Sequence, residues 1–160
     1  MVTTSSDAAT LQVVRRWLLA AIAATLIVIE GELVFVRHFG NNNGQMIAVV
    51  LAGSGLVIVA WHAIARDTLS IVVFRFLMYL FLVFGIDGLM VHYNFAADAA
   101  LKSHPALVGL PLLYATLSGD IPLLAPGMMT EVGLLGLLYT FHHPLDVRVG
   151  PSVGSLRLRG

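Results

Sequence analysis

The sequence predicts an all-α integral membrane protein: a bundle of four transmembrane helices, with a proline-broken extracytoplasmic or interfacial helix before the last crossing. Three observations carry this. Of 160 residues, 58% are hydrophobic and only 11% charged, and the mean hydropathy is +0.89. Soluble domains carry about 25% charged residues, and a soluble core of this length cannot bury so much apolar surface and still cover itself with polar groups. Apolar runs near the length of a bilayer crossing recur along the chain, separated by short segments of turn-forming and charged residues. The length fits one membrane domain, residues 1–160, with no room for a second of ordinary size.

Residues 1–12 are small and polar and read as a tail. Arg15 and Arg16 then precede Trp17, and an apolar run continues to Val36. The run is too long for a secretory signal and no small-residue cleavage site follows it. It reads as the first span, about 17–36, with Trp17 at the interface and both arginines in water. Residues 37–45, with three asparagines between glycines, form a turn. The second span covers about 46–65, where Gly53, Ser54 and Gly55 allow close helix approach. Arg66-Asp67-Thr68 is a tight connection, so the third span, about 71–92, runs antiparallel to the second. From 105 to 124 the run is short and interrupted by prolines, and it reads as lying on or dipping into the membrane. The fourth span covers about 127–143. A tail, about 145–160, follows.

Positive charge sets the orientation. Four spans place Arg15, Arg16, Arg66, Arg75, Arg148, Arg157 and Arg159 on one side, with only Arg37 and Lys102 on the other. That distribution puts both termini in the cytoplasm of a multi-pass cell-membrane protein. Counting 105–124 as a crossing gives five spans and exports the C-terminal arginines. The chain has zero net charge and no Lys/Arg run, so nucleic acid is not an expected partner. It has no cysteine, which excludes disulfides, thiolate ligands and cysteine nucleophiles.

Ionisable groups at membrane depth are costly, so they mark functional candidates. This topology sorts them into two layers. The outer layer holds Glu30 and Glu32 from the first span, Asp87 from the third and Glu131 from the fourth. His38 and His92 lie just above, and His104 and Asp120 adjoin. Carboxylates with histidines suit copper, iron, manganese or zinc, and helical bundles build such sites from facing helices. At about 100° per residue, Glu131 and His142 share a face of the fourth span with Met128, Leu135 and Leu138, and that face is expected to point into the bundle. Glu30 and Glu32 point almost oppositely, so at most one faces the centre, and Glu30 shares its face with Arg37. The inner layer holds His62 with His142 and His143, at a depth where haem or a quinone is an alternative.

Asp87, His92 and His104 are similar in spacing to the Asp-x3-His-x12-His copper ligands of a membrane subunit of particulate methane and ammonia monooxygenases. The outer spacing is the same and the middle histidine falls one residue late. The likeness covers those three residues alone and implies copper there without implying the family.

The expectation is therefore a small membrane subunit for metal or redox chemistry, with Asp87, Glu131 and one of Glu30 or Glu32 as ligands and His92, His38 or His104 completing the shell. Two alternatives stand beside it. One is a proton- or ion-coupled transporter or channel. The other is a structural subunit without chemistry of its own, its acids paired with other membrane subunits or with copies of itself.

Overall fold

The computed structural model describes residues 5–35, 43–119 and 124–145. All regular structure among them is helical. The helices are α1 (Ser5–Phe35), α2 (Asn43–Ala65), α3 (Thr68–Ser103), α4 (Gly109–Leu117) and α5 (Leu124–Thr140). Residues 36–42, which hold Arg37 and His38 of the expected 37–45 turn, residues 120–123 with Asp120, the region after 145 and the first four residues lie outside the described part.

Among the described residues, three helices, α1, α2 and α3, are long and apolar enough to cross a membrane. Their boundaries exceed the sequence expectation. Helix α1 begins at Ser5 and takes in most of the expected tail, and α3 continues past His92 to Ser103. At a rise of about 1.5 Å per residue, α3 is about 54 Å long, well beyond a hydrocarbon core of about 30 Å. Helix α5 has 17 residues, or about 25 Å. The region expected to be interfacial contains the nine-residue α4, which carries Pro111 in its first turn, where a proline removes no intrahelical hydrogen bond.

Helix α1 packs on α2 and α5, and α3 packs on α2 and α5, so these four close into a ring. Helix α4 packs on α3. The most extensive contact is between α3 and α5, and glycines cause it. A Cβ on Gly133 would lie 2.6 Å from the Leu82 nitrogen, and one on Gly85 would lie 2.5 Å from the Thr130 nitrogen. Gly136 admits the Met78 side chain in the same way. These pairs set an antiparallel register in which residue numbers rise on α3 as they fall on α5. Close backbone approach of this kind is the usual means of association where lipid removes the hydrophobic drive between helices. On α2, Gly55 likewise gives way to the Phe81 ring, which a Cβ would meet at 2.9 Å.

The enclosed core includes Ile22, Leu26 and Ile29 from α1, Ala52 from α2, Ile71, Phe74, Met78 and Phe81 from α3, and Val132 from α5. The outside is apolar as well. Trp17 is 73% exposed, Ile64 84% and Phe35 88%, an exterior that suits a lipid bilayer and not water.

The α2–α3 connection is as tight as the sequence implies. Arg66 takes a positive φ of 49°, and its amide donates to the His62 carbonyl at 3.1 Å. Asp67 then caps α3, with the Ser70 amide donating to its Oδ1 at 2.7 Å. The Asp67 main-chain N–H donates to Ser70 Oγ at 3.2 Å, completing a capping box.

Candidate functional site

The end of the bundle near this connection gathers the more organised polar groups. His62, on the last turn of α2, is 2% exposed. Its Nδ1 lies 2.8 Å from the Ser70 hydroxyl and its Nε2 lies 2.8 Å from the Tyr139 hydroxyl. The hydroxyl protons can be assigned. Ser70 Oγ donates to the Asp67 main-chain oxygen at 2.9 Å, so it accepts from His62 Nδ1–H. In the neutral ring Nε2 then carries the lone pair, and Tyr139 donates to it. One imidazole therefore ties α2 to the start of α3 and to the end of α5. Phe74, Tyr139 and His143 wall the ring, with centroids 5.5, 5.6 and 5.8 Å away.

Two arginines fasten the end of α5. Arg15 from α1 donates to the carbonyls of Phe141 (3.4 Å) and His142 (3.0 Å). Arg75 from α3 donates to the Thr140 carbonyl at 3.0 Å. Both satisfy oxygens that a helix C-terminus leaves without intrahelical partners, and both place positive charge at the negative end of the helix dipole. The Asp67 carboxyl, outside the apolar segments, is held below its ordinary range chiefly by the Ser70 amide.

A cavity of about 260 Å³ opens beside this cluster. Arg15, Arg16, Arg66, His62, Tyr139 and His143 contribute to its wall. The expected inner layer of histidines is thus partly assembled: His62 and His143 meet, whereas His142 is exposed and turned away at a positive φ of 46°. Both His62 nitrogens are engaged by hydroxyls and its ring packs on His143, so this arrangement offers neither nitrogen to a haem iron.

The outer layer is dispersed. Asp87 is exposed on α3 and lies roughly opposite the row that meets α5. Glu131 is exposed on α5, roughly opposite Gly133. Of the face expected to point inward, Met128 and Leu135 are half-buried and pack on the core, whereas Glu131 and Leu138 are exposed, Leu138 at 59%. Glu30 packs towards α2, where a Cβ on Gly53 would lie 3.8 Å from its Oε1. Glu32 and His92 are half-buried and His104 is exposed at the end of α3. Among the described residues no three of these acids and histidines come together as a metal-binding group. Two atoms in this half are enclosed without a hydrogen-bond partner, Glu30 Oε2 and His92 Nδ1.

Sequence reasoning set His62 near the end of its helix, where it lies, but missed Ser70 and Tyr139. Ser70 was readable, because it stands three residues after a helix-capping Asp67. Tyr139 had no local signal, since its partner is 77 residues away. No family model, no curated protein and no solved structure matches this chain.

Proposed function

We propose that the chain is a four-span membrane subunit that works inside a larger membrane assembly, with α5 as the fourth crossing and both termini cytoplasmic. The observation that carries this reading is the outward placement of Asp87 and Glu131. Glu131 stands about 10 Å from one end of α5 and about 14 Å from the other. Its side chain is too short to reach water from there. The α3–α5 register sets Asp87 about one turn nearer the outer end.

A carboxylate directed at lipid costs about 2.5–3.5 kcal/mol at the centre of the bilayer and less nearer the outer end, where Asp87 stands, and the two together are still a sizeable part of a domain's net stability. No basic side chain of the described residues lies at their level: Arg15, Arg16, Arg66 and Arg75 gather at the inner end and Lys102 stands at the far end of α3. A helix from another subunit that brings a cation or a hydrogen-bond donor removes the cost. Placing α5 among the crossings is supported by its packing between α1 and α3. The test is the size of the particle extracted from native membranes with its lipid annulus. Wild type is expected to run as an assembly and D87N/E131Q as a smaller particle. A wild type that extracts as one chain contradicts the reading.

Metal or redox chemistry in the outer half is a second reading. Glu30 Oε2 on α1 and His92 Nδ1 on α3 are separate observations in its favour, because an enclosed polar atom without a partner costs about 1–3 kcal/mol and an ion bound at either would remove that cost. Elemental analysis of purified wild type and of E30Q and H92A separates the cases. About one transition metal per chain, lost in both variants, supports a metal centre. Equal metal content in all three removes it.

A further inference from the structure

The cavity at the inner end has a chemistry that the partner reading does not use. Among the described residues its wall includes three arginines, Arg15, Arg16 and Arg66, and no Asp or Glu. Arg15 is positioned by the carbonyls of residues 141 and 142, and Arg66 by its Nε donating to the Ala63 carbonyl at 3.1 Å. Arg16 is exposed. His62 and Tyr139 form the floor with their mutual hydrogen bond already made.

Opposing charge is near and has to be weighed. Helices α2 and α5 both end here, and each C-terminus carries about half a negative charge. Together they offset about one guanidinium. The Asp67 carboxylate is committed to the Ser70 amide at the N-terminus of α3, which itself carries about half a positive charge. A positive excess therefore remains at the cavity, partly desolvated by Leu19, Pro144 and Leu145. Guanidiniums pair with phosphate through parallel N–H···O bonds that a chloride ion cannot match. Basic pockets between transmembrane helices at the cytoplasmic face suit phosphate-bearing head groups.

We infer that the Arg15–Arg16–Arg66 cavity binds a phosphate group, either on a membrane lipid head group or as a free anion. The lipid source matches the location: Arg16 directly precedes Trp17, which is 73% exposed where the apolar part of α1 begins. The free-anion source requires only the cavity.

The two tryptophans of the chain are next in sequence to wall residues, Trp17 to Arg16 and Trp61 to His62. Their fluorescence reports occupancy in the detergent-purified full chain. Three probes are titrated separately: dihexanoyl phosphatidylglycerol, dihexanoyl phosphatidylcholine and inorganic phosphate. Saturable binding of the anionic lipid, at least tenfold tighter than that of the zwitterionic one, identifies a head-group site. Saturable binding of inorganic phosphate at equal strength identifies a free-anion site. In either case R16Q/R66Q is expected to weaken binding at least tenfold, while K102Q, at the other end of α3, leaves it unchanged. The double variant spares Arg15, which holds α5, so its unfolding temperature stays close to that of wild type. No saturable binding of any probe, or R16Q/R66Q binding as wild type does, overturns the inference.

Discussion

His62 Nε2 lies 2.8 Å from the Tyr139 hydroxyl, and the same ring reaches Ser70 at 2.8 Å through Nδ1. One side chain thereby joins three helices at the end of the bundle where α2 connects to α3. Both partners are hydroxyls, so the ring is satisfied without a charge on either side.

Removing one partner should expose this dependence. Tyr139→Phe keeps the ring packing and leaves Nε2 unpaired in an enclosed site. The expected loss is about 1 kcal/mol, between the value for an unsatisfied buried acceptor and the smaller couplings measured inside membranes. Unfolding of wild type, Y139F, S70A and the double variant in a detergent titration measures it. Non-additive losses are expected, because both hydroxyls hold the same ring.

The α3–α5 seam predicts a contrast between two glycines. Gly133→Ala forces a Cβ to within 2.6 Å of the Leu82 backbone nitrogen, which cannot turn aside as a side chain could. The expected loss is about 2 kcal/mol, since overpacking of a tight contact costs about 1–3 kcal/mol. Gly31→Ala meets nothing within 4 Å and removes a helix-interior glycine, so it is expected to be neutral or slightly stabilising. Equal unfolding temperatures for the two variants would contradict the seam.

The start of α3 should weaken in acid. The Ser70 amide holds the folded Asp67 carboxyl below its ordinary range. A lowered folded value means that the carboxylate's contribution is complete above the unfolded value of about 4 and is lost as pH falls through the folded one. Amide exchange at Leu69–Ile71 is therefore expected to speed up as pH drops below about 4, beyond the intrinsic trend. Asp67→Asn retains a capping oxygen and should abolish that acid-dependent increment while keeping the helix start at neutral pH.

Much of the architecture was readable because its signals are local. Arg66-Asp67-Thr68 announced a tight antiparallel connection, and Gly53 to Gly55 marked a close approach that Phe81 fills. The depth of His62 relative to the end of the last helix was also readable, and it brought His62 and His143 within ring contact. The rotation of the last helix was readable only in part. Met128 and Leu135 pack on the core, yet Leu138 and Glu131 turn outward, because apolar residues mark no sharp direction in a helix that is apolar all round. The small residues carry that information. Gly133 and Gly136 lie on the side opposite Glu131, and close packing against α3 turns the carboxylate outward. Ser70 was within reach of local spacing, three residues after Asp67, whereas Tyr139 depended on a contact 77 residues away that no local spacing encodes.

The outward carboxylates remain the central claim, and contact from their own face tests it most directly. A photo-crosslinking residue at Leu134, which is 55% exposed on the side of α5 that carries Glu131, can be activated in native membranes. The account predicts cross-links to another polypeptide, with the yield falling in the E131Q background. Cross-linking to lipid alone, at the same yield with and without Glu131, would contradict it.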